Sequence, residues 1–202
     1  MTAQQKKMPS LRFPEYQEEW VEIKLGDILQ KNRLGGNYVN SEYSSAHPLI
    51  KMGNIGRGNI SLKKVEYIKQ GESIDKNDKI HFGDLFFNTR NTLDLVGKVA
   101  VWKNELPVAY YNSNLMYLKF ENNFFMNYKL NSYEGIKGLR RLATGTTSVA
   151  AIYTKDLLQL KLYISTNAEE QQKIADFLTA VDERILQLIK KKELLKKYKK
   201  GV

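Results

Sequence analysis

The run from Thr166 to Lys200, TNAEEQQKIADFLTAVDERILQLIKKKELLKKYKK, constrains this chain more than any other segment. It holds no Pro or Gly, so nothing interrupts a helix before Gly201. Thr166 and Glu169 have the spacing of a capping box, which predicts where the helix starts. At about 1.5 Å per residue it extends roughly 50 Å, longer than a small domain is wide. Ile174, Leu178, Val181, Ile185, Leu188 and Leu195 lie on one line of alternating four- and three-residue steps, weakened at its end by Lys192 and Lys199. That spacing predicts a coiled-coil seam rather than the broader stripe of a buried helix. The expected fold class is α+β: a β-rich globular domain over residues 1–165, followed by one long helix over residues 166–202 that self-associates.

Before the helix the texture is that of short strands. Residues 1–10 read as a frayed start, and the first signals are Leu11-Arg12-Phe13-Pro14, Trp20 and the short amphipathic run Lys24 to Leu29. Past Gly35-Gly36, strands are predicted at Leu49–Met52, Ile60–Leu62, Val65–Ile68, Leu85–Phe87, Val96–Trp102, Leu115–Leu118, Val149–Ile152 and Leu160–Ile164. Turn residues separate them at Gly56 to Asn59, Lys76 to Asp78 and Gly83-Asp84. Phe125, Tyr128, Ile136 and Leu139 have helical spacing and predict one helix from Phe124 to Leu142, although Gly135 and Gly138 lie within it.

Charge narrows the class of partner. The 202 residues carry a net charge of +10. Residues 1–165 hold 23 Lys and Arg against 16 acids, so the globular part is basic in its own right. A basic domain favours a polyanion. The lysines from Lys190 to Lys200 are better read as a solvated helix face that complements the C-terminal dipole. No cysteine is present and no apolar run approaches a membrane span, so the chain reads as cytoplasmic, with no membrane contact.

Catalytic constellations are missing. His47 and His81 are far apart in sequence and each reads as a structural or surface residue. Gly53-Asn54-Ile55-Gly56-Arg57-Gly58 has the wrong order for a dinucleotide or phosphate loop, and is better read as a turn that lifts Arg57 and Asn59 outward. Glu15, Glu22 and Lys24 superficially suggest a metal-dependent nuclease, but no paired strand signals hold them together. No catalytic residue, metal or cofactor is expected.

Polar and basic residues instead gather in turns. Asn88-Thr89-Arg90-Asn91-Thr92 lies between two apolar segments, with Lys98 beyond. Arg can bind guanine and Asn adenine bidentately, each worth about 1–3 kcal/mol of discrimination. Arg140, Arg141, Thr144, Thr146 and Thr147 supply the charge and hydroxyls that hold phosphates, contacts that position a protein without reading sequence. Double-stranded DNA is the expected partner.

At this point the chain resembles the specificity subunits of type I restriction-modification enzymes. The resemblance rests on Trp20 with Lys24-Leu25-Gly26-Asp27-Ile28, on Met52-Gly53-Asn54-Ile55, and on Gly83 to Thr92 ending in Gly97-Lys98. Gly145-Thr146-Thr147 follow, then Glu170-Gln171, Ile174-Ala175, Leu178 and Asp182 in the helix. It implies that residues 11–165 are a target-recognition domain reading half of a bipartite DNA site. It also implies that the helix packs antiparallel on an equivalent helix as a spacer. Members have no catalysis of their own; a methyltransferase (modification) subunit and an ATP-driven restriction subunit are the implied partners. Typical members carry two recognition domains and two helices, whereas this sequence holds one set, as a half subunit or a fragment would. A dimeric DNA-binding regulator with no enzyme partner would use the same two parts and is the alternative reading.

Overall fold

The run Leu85-Phe86-Phe87 is apolar on both faces, and a strand of that kind must be buried on both sides. In the computed structural model, which describes Pro9 and residues 11–201, all three side chains are inaccessible to solvent. The frayed start expected over residues 1–10 lies, apart from Pro9, outside the described residues.

In chain order the strands begin with β1 (Val21–Lys24), β2 (Lys31–Leu34), β3 (Asn40–Ser41), β4 (Pro48–Ile50), β5 (Glu66–Ile68), β6 (Leu85–Asn88) and β7 (Arg90–Asn91). They continue with β8 (Val99–Val101), β9 (Tyr110–Tyr111), β10 (Leu115–Lys119), β11 (Thr144–Gly145), β12 (Ala150–Ala151) and β13 (Lys161–Ile164). The helices are α1 (Leu25–Ile28), α2 (Asn123–Asn131), α3 (Tyr133–Leu142), α4 (Thr154–Leu157) and α5 (Ala168–Gly201).

The central sheet has the order β2-β10-β6-β8 and is antiparallel throughout. Alternation splits its side chains between two cores. Leu85, Phe87, Val99, Val101, Met116 and Leu118 face the larger one, which α2, α3 and β13 close with Phe125, Leu130, Leu139 and Leu162. Phe86, Ala100 and Leu115 face the smaller one with Ile50, Trp102 and Tyr111. A second four-stranded sheet, β3-β5-β4-β9, closes this side, with β4 and β9 parallel. Burying each phenylalanine contributes roughly 1.5–3 kcal/mol, so β6 anchors the domain.

The β-rich domain followed by one long helix matches the α+β expectation. Several local expectations change. The helix starts at Ala168 and its cap is Asn167, whose Oδ1 accepts the Glu170 N–H at 3.1 Å, not Thr166. The single helix expected over Phe124 to Leu142 is two, because the Ser132 hydroxyl accepts the Gly135 N–H and caps a new start. Ile60–Leu62 forms no strand, only an isolated bridge from Ile60 to Ile55. Val96 and Gly97 precede β8 in a turn where Gly97 has φ +72° and a Cβ would crowd Ile152 and Leu139.

The first half of α5 is rooted in the domain. Glu170 receives both prongs of the Arg12 guanidinium and the Trp20 indole N–H, Gln171 donates to the Ser165 carbonyl, and Ala175 is buried. Phe13 meets Phe177 edge to face. The Tyr128 hydroxyl donates to Asp182 at 2.8 Å. Beyond Asp182 every described residue is exposed, a projection of about 28 Å.

Candidate nucleic-acid interface

Two loops separated by more than fifty residues meet in one small sheet, ordered β11-β12-β7. Arg90 and Asn91 lie opposite Ala151 and Ala150, which in turn lie opposite Thr144 and Gly145. Leu93 N–H donates to the Thr147 carbonyl at 3.0 Å and extends the junction. Gly145 permits it, since its φ of +122° suits glycine and a Cβ would strike the Val149 carbonyl. The Asn88–Thr92 and Thr144–Thr147 segments, read separately from sequence, therefore form one surface.

β6 delivers this surface from the core. Asn88, at its end, is wholly buried and its Oδ1 accepts the Arg90 N–H at 3.2 Å. Asn88 thus shapes the turn from inside and presents nothing to a base edge, which corrects its reading as a DNA contact. Thr89 is also committed locally, donating its hydroxyl to the Asn114 carbonyl at 3.0 Å. Arg90 is exposed and ion-paired to no described residue. Asn91 and Thr92 are half-buried, and Asn91 Oδ1 accepts the Thr92 N–H.

Basic groups flank the loops. The Arg57 guanidinium donates to the Asp94 carbonyl at 3.1 Å, and that of Arg140 reaches the Asp94 carboxylate at 3.3 Å. One aspartate shared by two guanidiniums leaves positive charge in excess; burial, and then Arg140, lower the Arg57 pKa. The fold thus brings Arg57 and Arg140 together, a pairing invisible in sequence. Arg141 is exposed and leads directly from α3 into β11, where Thr144, Thr146 and Thr147 are exposed too. Asn59 is exposed beyond the turn closed by the Gly56 N–H on its carbonyl, while Lys98 is half-buried.

Sequence reasoning missed the groove beside Arg90. It measures about 310 Å³ and is lined by Leu34, Ser113, Asn114, Tyr153 and Thr154 with Thr89. Tyr153 is 55% exposed, enough for an aromatic face to meet a base or sugar. Its signal was only a tyrosine directly after a predicted strand.

Elsewhere, Glu15 and Glu22 pair with Lys173 and Lys161 on different elements. Among the described residues no group of three His, Cys, Asp or Glu could hold a metal ion, and no helix is long and apolar enough to cross a membrane. On α5, Ile174 packs on its own domain's core, whereas Val181, Ile185, Leu188 and Leu195 are exposed. Leu178 joins Leu11, Phe13, Trp20, Ile174 and Phe177 around an apolar cavity of about 330 Å³ at the helix base.

The sequence matches the family described as Type I restriction modification DNA specificity domain over residues 17–196. A protein described as the type I restriction enzyme MjaX specificity subunit of Methanocaldococcus jannaschii is 26% identical over 196 residues, covering 93% of this chain and 45% of that protein. The S subunit of a type I restriction-modification system from M. genitalium superposes with a TM-score of 0.59 at 16% identity, covering 85% of this chain and 41% of that one. The HsdS subunit from Thermoanaerobacter tengcongensis gives 0.52 at 15% identity, covering 91% and 41%. The chain therefore spans less than half the length of each of these relatives, and the structural likeness is one of fold.

Proposed function

Because the chain belongs to the type I restriction-modification DNA specificity family, we propose that it reads one half of a bipartite DNA sequence and holds that reading domain at a fixed distance from a second one. Residues up to 165 form the reading unit and residues from 166 the spacer. The convergence of Arg90–Thr92 with Thr144–Thr147 in one sheet is the observation that carries this reading. Arg90 and Asn91 read base edges, while Arg57, Arg140, Arg141 and the threonine hydroxyls hold phosphates on either side. The chain supplies no chemistry. A methyltransferase subunit and a restriction subunit dock on it and act where it directs them.

The helix pairs with an equivalent helix, and its charge supports an antiparallel arrangement. From Ala168 to Arg184 there are five acids and two bases, and from Ile185 to Gly201 seven bases and one acid. Antiparallel pairing sets each acidic half on a basic half, and aligns the helix dipoles favourably as well. Matching seam positions then places Ile185 against Leu188 of the second helix, and Leu178 against its Leu195.

Selection of bound duplexes from a randomised pool, with the methyltransferase subunit present, tests the reading. Enrichment of a defined half-site is expected. A pool that stays random would refute it.

A further inference from the structure

A second basic pocket lies on the other face of the central sheet. It holds about 200 Å³ and is lined by Lys31, Lys76, Lys79, His81, Tyr111 and Tyr117, with Arg33 and Asp84. None of these residues belongs to the loops around Arg90. The pocket opens beside edge strand β2, whose Lys31 and Arg33 stand opposite Lys119 and Tyr117 of β10.

Three observations give this pocket a chemistry. Lys31 and Lys119 face each other directly across an antiparallel pair, a placement that costs stability through like-charge repulsion unless an anion compensates it. Lys31, Lys76, Lys79 and Lys119 form no ion pair with any described residue, whereas the nearby acids Asp75 and Asp78 are both taken by Arg33. Asp78 also accepts the Tyr38 hydroxyl.

The third is a pair of hydroxyl donors that line the pocket. They belong to Tyr111, which is almost wholly buried, and Tyr117. Burial pushes the Tyr111 pKa up to about 12, so it stays an O–H donor at neutral pH. Asp84 is the remaining carboxylate in the pocket. It already accepts the His81 N–H at 2.7 Å, and burial raises its pKa, which weakens its hold on the charged form.

Lysine ammoniums and tyrosine hydroxyls around this small concave space outnumber its one carboxylate, Asp84. We propose that this pocket binds a phosphate group through Lys31, Lys76, Lys79 and the Tyr111 and Tyr117 hydroxyls. The phosphate belongs either to a DNA backbone running past the edge of β2 or to a free phosphate-bearing molecule.

Titration of the isotope-labelled chain with inorganic phosphate, followed by amide NMR, tests the pocket itself. Saturable shifts confined to residues near Lys31, Lys76 to His81, Tyr111 and Tyr117 are expected, and the double variant Lys31→Gln/Lys79→Gln should abolish them. Both lysines are exposed, so the variant folds. Absence of saturable shifts, or shifts that persist in the variant, would overturn the proposal. DNA affinity against salt separates the two sources. A slope lowered by about 0.9 in the variant assigns the site to one backbone phosphate. An unchanged slope, with phosphate shifts intact in the parent chain, assigns it to a free molecule. Because the phosphate titration involves no DNA, failure of sequence reading at Arg90 leaves this test standing, and its own failure leaves that reading untouched.

Discussion

Arg12 and Glu170 close a two-pronged ion pair at the base of the long helix, Nη2 to Oε2 at 2.7 Å, with both side chains almost inaccessible to solvent. The pair ties the segment before β1 to the first turn of α5, 158 residues away. Burial pushes the Glu170 pKa up, but hydrogen bonds from Arg12, Ser165 and Trp20 outweigh it and hold it below the ordinary 4.5. The pair's contribution is therefore complete above that ordinary value and lost as pH falls through the lowered one. Arg12→Met leaves the buried carboxylate alone, and chemical denaturation at neutral pH should show a loss on the order of 3 kcal/mol. Protonating Glu170 relieves the orphaned charge, so the gap between parent and variant should narrow as pH drops through the acid range.

Asn88 and Arg90 should separate fold from recognition. Asn88→Ala removes the acceptor for the Arg90 N–H inside the core, and should lower stability by about 1–3 kcal/mol. Arg90→Ala should leave the melting temperature unchanged and relax preference at one base position, a loss of about 1–3 kcal/mol of discrimination. Thermal melts and competition with single-base variants of the site measure the two effects.

Asp94 restrains the flanking charge. Asp94→Asn removes the carboxylate that pairs with Arg140 and leaves the Arg57 bond to the residue-94 carbonyl in place, so the added net positive charge should tighten binding to every sequence alike. Arg140→Ala should do the reverse, weakening all sequences and flattening the dependence of affinity on salt by about one unit. Fluorescence titrations at several salt concentrations, on cognate and random duplexes, give both slopes.

The helix seam is tested by Ile185→Lys. Ile185 is half exposed and lies beyond Asp182, where every described residue of α5 is exposed. A lysine in the seam should give a monomer by light scattering while the domain's melting temperature is kept.

Sequence showed the large elements because their signals are local. Leu85-Phe86-Phe87 reads as a doubly buried strand on its own, and the seam from Leu178 to Leu195 reads as an exposed apolar line. β2, Lys31-Asn32-Arg33-Leu34, was not legible: it is polar because it is an edge strand, and only its pairing with β10 makes it a strand. The split at Ser132 was masked by continuous helical spacing, which a single hydroxyl cap overrides. At the candidate interface the residue types were visible and their company was not. Nothing in the sequence joins Arg57 to Arg140 or Arg90 to Ala151, and nothing distinguishes buried Asn88 from exposed Arg90 two residues later. The helix residues that carry the family resemblance gain a physical reason. Glu170, Gln171, Ala175 and Asp182 root the helix in its own domain, so they fix its direction rather than its partner.

Genome-wide mapping of methylated bases, in cells that hold the methyltransferase subunit with either this chain or its Arg90→Ala variant, tests sequence reading most directly. With the parent chain, methylation should fall in one split sequence motif that vanishes when the chain is deleted. With the variant the same motif should return, degenerate at one position of the half-site. Methylation indifferent to the chain's presence, or a motif unaltered by Arg90→Ala, would contradict the assignment of base reading to this loop.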